Sequence, residues 1–491
     1  MLFRSLSPVG YGDLFFLIGS FAAVCALMDL GTSSAFYTFI AQRIRSRAYI
    51  VLYFVWLAIQ FFVIVLFIVA ILPSSLIDKI WLGHSIDIIV LAFIAMFLQQ
   101  KVWTTVMQIC ESARLTIIWQ LTVLGAVFLH LLIVLWLIYI EGISVNSVLI
   151  SLSAVYLSAA IIVWVQLHRQ RRNVPHHVEE IEFDFKSMCF EYWVYCKPMI
   201  VIAIFSFLYE FADRWLLQRF GGAEQQGFYQ ISAQFAAVSL LATASILNIF
   251  WKEIAEAFAQ DDTRRVERLY QKVSRGLIML GAAIACFLVP WAEQISLLLL
   301  GEAYAVAWPV LAVMFLYPIH QSMGQINAAM YMACERTKPY MNITLFGMFI
   351  SIPVTYLMLV PSDGGWLLSG LGLGALGLAI KMLGLNVLLV NVQAWMLARY
   401  HGWKYEWLYQ VIAVSSMLGI GYFVKMLVGL MWDIDLADVT SLIAPLLFSC
   451  LVYVVAVIIV IWVMPWLAGL EREEISRLIN KLRRGDGRVH S

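Results

Sequence analysis

Lys381 and Lys101 each stand inside a long apolar run, where a charged side chain at the centre of a membrane helix costs about 3 kcal/mol. A residue that expensive is kept by a function or by a partner. Lys381 lies near the middle of its run, too deep to snorkel easily. Lys101 opens a polar stripe with Thr104, Thr105 and Gln108, and that i, i+3, i+4, i+7 spacing puts all four on one helical face. A second run carries His320, Gln321, Gln325 and Asn327. The chemistry such a set could do is binding: ammonium groups for an anion, amides and hydroxyls for a hydroxyl-rich ligand. Arg214, and behind it Lys197, could add cations. The competing reading is that Lys101 and Lys381 pair with buried carboxylates or reach the interface. Lys197 and Lys425 lie nearer their run ends, where snorkelling is the expected behaviour.

The acids in apolar runs are candidates for ion coupling: Asp29, Glu210 and Asp213, with His130 as a further titratable group. For Asp29 and His130 a satisfied contact between helices is the default. Glu210 and Arg214 are an i, i+4 pair, and a structural clamp is expected there before a coupling role. Residues 372–377, GLGALG, fit GxGxxG but sit in an apolar run rather than between a strand and a helix. Small residues at that spacing serve close helix approach. Asp433-Ile-Asp435 reads as a solvated loop, and His176-His177 lack a third metal ligand. The seven cysteines are scattered without metal spacing. No metal and no cofactor are expected, and nothing points to nucleic acid.

These side chains need helices in lipid to hold them. The chain has 491 residues, 63% hydrophobic and 13% charged, with mean hydropathy +0.87, which excludes a soluble globular domain. Backbone groups in hydrocarbon must be satisfied within the element, and the apolar runs are continuous rather than alternating. The expectation is an all-α membrane protein with thirteen spans, near 11–30, 49–72, 86–109, 116–140, 147–167, 193–218, 228–250, 275–298, 305–333, 340–360, 371–397, 409–431 and 440–466.

Basic residues orient them. With the segment 41–49 inside, 25 of the 32 Lys and Arg fall on that side, four on the other and three within spans. The positive-inside rule then puts the C-terminus in the cytoplasm and the residues before 11 outside. Two segments with apolar stripes, Val266, Leu269, Tyr270 and Val273, and Ile475, Leu478, Ile479 and Leu482, are expected to lie in the headgroup plane.

The sequence repeats itself. Ser7-Pro-Val-Gly-Tyr-Gly12 resembles Gly222-Ala-Glu-Gln-Gln-Gly227, and each is followed by FAAV, at 21–24 and 235–238. Downstream, CESAR at 110–114 matches CERTK at 334–338. Gln325 and Lys101 each lie nine residues before their Cys-Glu, so the register pairs them, and two matched polar faces imply a wet cavity between lobes. The second half has a span before its glycine turn and the first has none, so the gene product is expected to start earlier, with one more helix. The resulting plan is an N-terminal lobe at 1–168 lacking its first helix, a cytoplasmic linker at 169–191, a C-terminal lobe at 192–398, and a further helix pair with an amphipathic tail at 399–491.

The stretches LSPVGYG and MDLGTSSAF (28–36), ADRWLLQRFGGAEQQGFY (212–229), GEAYAVAWPVLAVM (301–314) and GLGLGALGLA (370–379) resemble the polysaccharide-transport branch, the Wzx-like oligosaccharide flippases, of the MATE-like MOP superfamily. The resemblance implies two six-helix lobes plus a helix pair, and alternating access around a central cavity. It implies a bacterial inner-membrane translocator of an undecaprenyl-pyrophosphate-linked oligosaccharide for O-antigen, capsule or exopolysaccharide. Membrane lipids are expected partners, with a polysaccharide polymerase and chain-length proteins beside them. In that setting Lys381, Lys101 and Arg214 would take the phosphates, and Thr104, Thr105, Gln108, Gln321 and Gln325 the sugars. A MATE-type drug/cation antiporter would favour acidic cavity residues. A lipid II flippase differs in headgroup only. The loops are short, the longest outside one being about a dozen residues such as 73–84, which leaves little place for enzyme chemistry.

Overall fold

Long apolar runs in lipid have one way to satisfy their backbone, and the computed structural model takes it throughout. It describes residues 2–42, 47–171, 184–260, 262–362, 368–432, 441–470 and 472–473. Among these there is no strand, and twelve helices are long and apolar enough to cross a membrane. One of them, Phe185–Val238, has 54 residues, about 80 Å at 1.5 Å per residue, well over twice the hydrocarbon core of a bilayer. It breaks at Gly222, whose φ of 80° and ψ of 175° are not helical, so it carries the two spans read at 193–218 and 228–250. Among the described residues the candidate spans thus number twelve where the sequence reading has thirteen, because the spans read at 193–218 and 228–250 fall within one helix. Lipid rather than water must cover them: of the apolar window of Ala48–Ile71 only 17% is buried.

The chain forms two compact units. Unit 1, Met1–Gly227 with Thr355–Gly372, contains α1 (Ser7–Asp29), α2 (Thr32–Gln42), α3 (Arg47–Leu66), α4 (Ser74–Ile80), α5 (Ile86–Phe97), α6 (Thr104–Ser112), α7 (Thr116–Tyr139), α8 (Val145–Arg171) and the first part of α9 (Phe185–Ala259). Its core is aromatic: Phe36 stacks on Tyr53 at 4.0 Å and Phe61 on Phe93 at 5.6 Å. α9 belongs to this unit as far as Gly227, through hydroxyl contacts of Tyr192 with Tyr49 (3.0 Å) and Tyr195 with Thr38 (3.2 Å). The compact units and the lobes drawn from the repeat therefore differ over 192–227 and 355–372. The two glycines that mark the repeat meet each other. A Cβ on Gly12 would sit 1.7 Å from the Ala223 carbonyl oxygen, and one on Gly227 would sit 2.2 Å from that of Pro8. Only hydrogen lets the backbones approach so closely.

Unit 2, Phe228–Val354 with Leu373–Ser491, holds the rest of α9, α10 (Thr263–Leu288), α11 (Trp308–Ala333), most of α12 (Thr337–Leu359), α13 (Gly374–His401), α14 (Trp407–Met431) and α15 (Ile443–Val463). The helix pair α14 and α15 is integral to its core: Ala413, Met417, Val424 and Tyr453 share one buried cluster with Cys286, Trp291 and Phe315. The apolar stripe at 266–273 does not lie in a headgroup plane. Val266 and Tyr270 are buried, with Leu269 and Val273 packed on the same cluster as Met330, Tyr331 and Leu397. The stripe forms the first turns of α10, and Tyr270 donates to Asn327 at 2.8 Å. The corresponding stripe at 475–482, with His176-His177 and Asp433-Ile-Asp435, lies outside the described residues.

Candidate functional site

α1 ends at Asp29 because Leu30 (φ 46°) and Gly31 (φ 86°) turn left-handed. The chain then enters α2, and the Asp29 carboxylate accepts the Ser33 N–H at 3.3 Å, capping the orphan donors of that helix start. Lys101 reaches the same carboxylate, Nζ to Oδ1 at 2.6 Å, and is 5% exposed. Gln108 completes the corner, its amide donating to Ser33 Oγ at 3.0 Å. Gln60 fastens the end of α1 by donating to the Met28 carbonyl at 2.9 Å.

Lys101 sits in a π-helical turn, Leu98–Trp103, between α5 and α6. Such turns insert a residue and re-aim their side chains. Of the expected stripe, Lys101 and Gln108 face the α1–α2 corner and Thr105 is buried. Thr104 bonds instead to the Gln99 carbonyl of its own helix (3.4 Å), while Gln99 donates to Tyr156 (2.9 Å). Ser33, Tyr53 and Gln60 belong to the corner and sequence reasoning missed them. Gln60 Oε1 is buried there without a protein hydrogen-bond partner, and the Tyr53 hydroxyl lies among those of Thr32, Ser33 and Thr105.

Glu210, Asp213 and Arg214 stand on α9 within unit 1. Arg214 lies near enough for its charge to act on Glu210, as the i, i+4 spacing expects, while its guanidinium packs on Gly19 and donates weakly to the Phe15 carbonyl at 3.5 Å. Gly19 leaves the room, and α1 supplies the acceptor. Asp213 is buried and accepts the Thr355 hydroxyl at 2.6 Å. Glu210 is half-buried one turn away.

In unit 2 the polar residues line α11 and its neighbours. His320 pairs with Gln410 at 3.2 Å, Tyr317 donates to Gln321 at 3.1 Å, and Asn386 to the Tyr317 carbonyl at 3.3 Å. Gln325 Oε1 is buried without a protein partner. Lys381, on α13, is 2% exposed, its ammonium 3.9 Å from Met382 Sδ. The turns after the two Cys-Glu anchors close alike, with Arg114 (φ 57°) and Glu335 (φ 55°) left-handed. Leu115 donates to Cys110 O and Arg336 to Tyr331 O. Those left-handed residues fall four after Cys110 but one after Cys334, so counting back from the helix ends pairs Lys101 in register with Ser322 rather than with Gln325. Lys425 donates to the Pro290 carbonyl (2.6 Å) and Gln294 (3.1 Å), 5.3 Å from the Trp291 ring centre. It is a half-buried anchor held by two protein acceptors.

Each unit thus buries a lysine within a span, Lys101 against Asp29 in unit 1 and Lys381 beside Met382 in unit 2. Among the described residues no three His, Cys, Asp or Glu stand together as a metal site.

Residues 198–357 match the family model described as MatE. No curated protein matches the chain. Among solved structures, the chain is similar to a multidrug resistance MATE family transporter of the MOP superfamily in an inward-facing conformation, with 14% identity over 81% of this chain and 93% of that one and a TM-score of 0.62. It is similar to the lipid II flippase MurJ, inward closed, with 12% identity over 92% and 96% and a TM-score of 0.64. A MOP superfamily transporter from Pyrococcus furiosus matches at 14% identity over 83% and 88%, TM-score 0.50. The chain is therefore a multi-pass membrane protein with the fold of the MATE and MOP-superfamily transporters.

Proposed function

We propose that the protein is a flippase that carries an undecaprenyl-pyrophosphate-linked oligosaccharide across the bacterial cytoplasmic membrane by alternating access. It serves the synthesis of O-antigen, capsule or exopolysaccharide beside a polymerase and chain-length proteins, with its C-terminus in the cytoplasm. The fold it shares with transporters, a lipid flippase among them, supports the class of activity. The observation that carries the choice of substrate is the burial of Lys381 inside a span, 2% exposed. A cation antiporter needs an acid open to protons or cations. Here the Lys101 ammonium already occupies the Asp29 carboxylate at 2.6 Å. Lys381 offers the pyrophosphate a charge that water does not screen, where its electrostatic worth is greatest. Gln321 and Gln325 supply amides for sugar hydroxyls, and Thr104, Thr105 and Gln108 serve the same end in unit 1.

One observation favours a second reading: Glu210 and Asp213 stand close together on α9, as a MATE-type antiporter would require. A lipid II flippase would differ only in the glycan. Deleting the gene in its native host tests the reading. Lipid-linked oligosaccharide should build up on the cytoplasmic leaflet while surface glycan is lost, and wild type but not Lys381→Ala should restore export. Unchanged glycan with altered sensitivity to cationic drugs would move the protein to the antiporter branch.

A further inference from the structure

At the end of α1 opposite Asp29, three elements of unit 1 converge on Asp13. His84, in the turn before α5, places Nε2 3.3 Å from Asp13 Oδ1. Gln218 of α9 donates to the same oxygen at 2.8 Å. The other ring nitrogen of His84 lies 2.5 Å from the Trp81 carbonyl, and the ring sits 5.9 Å from Phe16 with its side chain 14% exposed. Trp215 ties the end of α4, just before that turn, to α9, its indole N–H donating to the Lys79 carbonyl at 3.1 Å.

The ring is flanked by two acceptors, a carbonyl and a carboxylate. Neutral imidazole has one N–H, so one nitrogen would direct its lone pair at an acceptor oxygen. Only imidazolium, a donor at both nitrogens, satisfies both. We infer that Asp13, His84 and Gln218 form a proton-binding latch, closed when His84 is protonated, that clamps the outer end of α1 to the 81–84 turn and to α9. Residue 84 falls on the side poor in basic residues, so the proton comes from outside. α1 is 23 residues long, about 33 Å of one rigid helix, and carries the Asp29–Lys101 pair at its other end. Outside acidity therefore bears on the helix that holds the inner corner.

The charged groups on the surrounding segments are few. From α1 Asp13 faces the ring. On α9, Arg214 is turned to Phe15, while Arg219 and Glu224 are exposed; Arg4, Asp78, Lys79, Asp87 and Glu141 on adjoining segments are exposed too. Burial of the ring favours its neutral form, but the hydrogen bonds to Asp13 and Trp81, with the Asp13 charge, outweigh it. His84 consequently titrates above the ordinary histidine value. A raised histidine contributes stability that is full below about pH 6.5 and is lost as pH rises past the raised value.

The test uses full-length, histidine-labelled protein in lipid nanodiscs, with the His84 ring resonance assigned by its loss in His84→Gln. It should titrate above the reference of about 6.5, and Asp13→Asn should lower its midpoint. Thermal unfolding is the second readout. Wild type should exceed His84→Gln clearly in mildly acid buffer and converge on it in alkaline buffer. A midpoint at or below the reference, or one unmoved by Asp13→Asn, overturns the latch. Should Asp13→Asn not fold, a pH-independent gap between wild type and His84→Gln overturns it equally. None of these readouts depends on which solute the protein carries.

Discussion

Replacing Lys101 by methionine removes the ammonium that faces Asp29 and leaves a carboxylate at membrane depth. At the observed 2.6 Å, an effective dielectric near 20 gives an attraction of about 6 kcal/mol before desolvation. Lys101 and Asp29 have side chains only 6% and 20% exposed, so desolvation cancels much of that. Removing one partner of such a pair costs about 3–5 kcal/mol, whereas replacing both by apolar groups of similar size is often neutral or stabilising. Lys101→Met should therefore lose about 3–5 kcal/mol, and Asp29→Leu a similar amount, to which the lost Ser33 cap adds about 1 kcal/mol. The double variant should recover most of the loss, which makes the coupling larger than about 5 kcal/mol. Reversible unfolding of all four proteins in mixed micelles gives that energy directly. Effects that add to within about 0.5 kcal/mol would refute the reasoning, since residues in contact ought to couple. The double variant also separates stability from transport. If it folds like wild type yet exports no glycan, Lys101 serves the substrate as well as Asp29.

Other expectations concern packing and anchors. Gly12→Ala puts a methyl 1.7 Å from the Ala223 carbonyl and should abolish folded yield or cost at least about 3 kcal/mol. Gly10→Ala, whose Cβ would meet nothing nearer than 3.7 Å, should be tolerated, and size-exclusion profiles distinguish the two. Arg275 and Glu406 form a bidentate pair, Nε to Oε2 at 2.8 Å, with Arg275 also over the Tyr409 ring. Arg275→Gln should lose about 1–3 kcal/mol, an effect that weakens in high salt because the pair is part-exposed. Lys425→Met leaves the Pro290 carbonyl without its donor and should cost about 1–3 kcal/mol in thermal unfolding.

The helical spans were legible because hydropathy is local, and the glycines at 12 and 227 because they lie in short matched stretches of one chain. The mid-span lysines were legible as anomalies, but the pairing of Lys101 with a residue 72 positions away is a tertiary fact. The stripe 101–108 was read with α-helical periodicity, and the π turn at 98–103 breaks that phase, sending Thr104 to its own backbone. Spacing relates Arg214 to Glu210, but its packing on Gly19 of another helix is a tertiary fact. The stripe at 266–273 shows how periodicity identifies an apolar face without saying whether lipid headgroups or a core will cover it. His84 carried no signal at all, since Asp13 and Gln218 reach it only when three separate segments fold together.

The central claim is transport of a lipid-linked glycan, and the measurement that tests it most directly is flipping by the purified chain in liposomes. Polyprenyl-pyrophosphate-linked oligosaccharide, distributed over both leaflets, is exposed to an external glycosidase that cannot cross the bilayer. The account predicts that wild-type vesicles yield cleavage beyond the outer-leaflet share, and that Lys381→Ala vesicles stop at that share. Cleavage that stops there with wild-type protein, in vesicles that instead expel a cationic dye under a proton or sodium gradient, would contradict it.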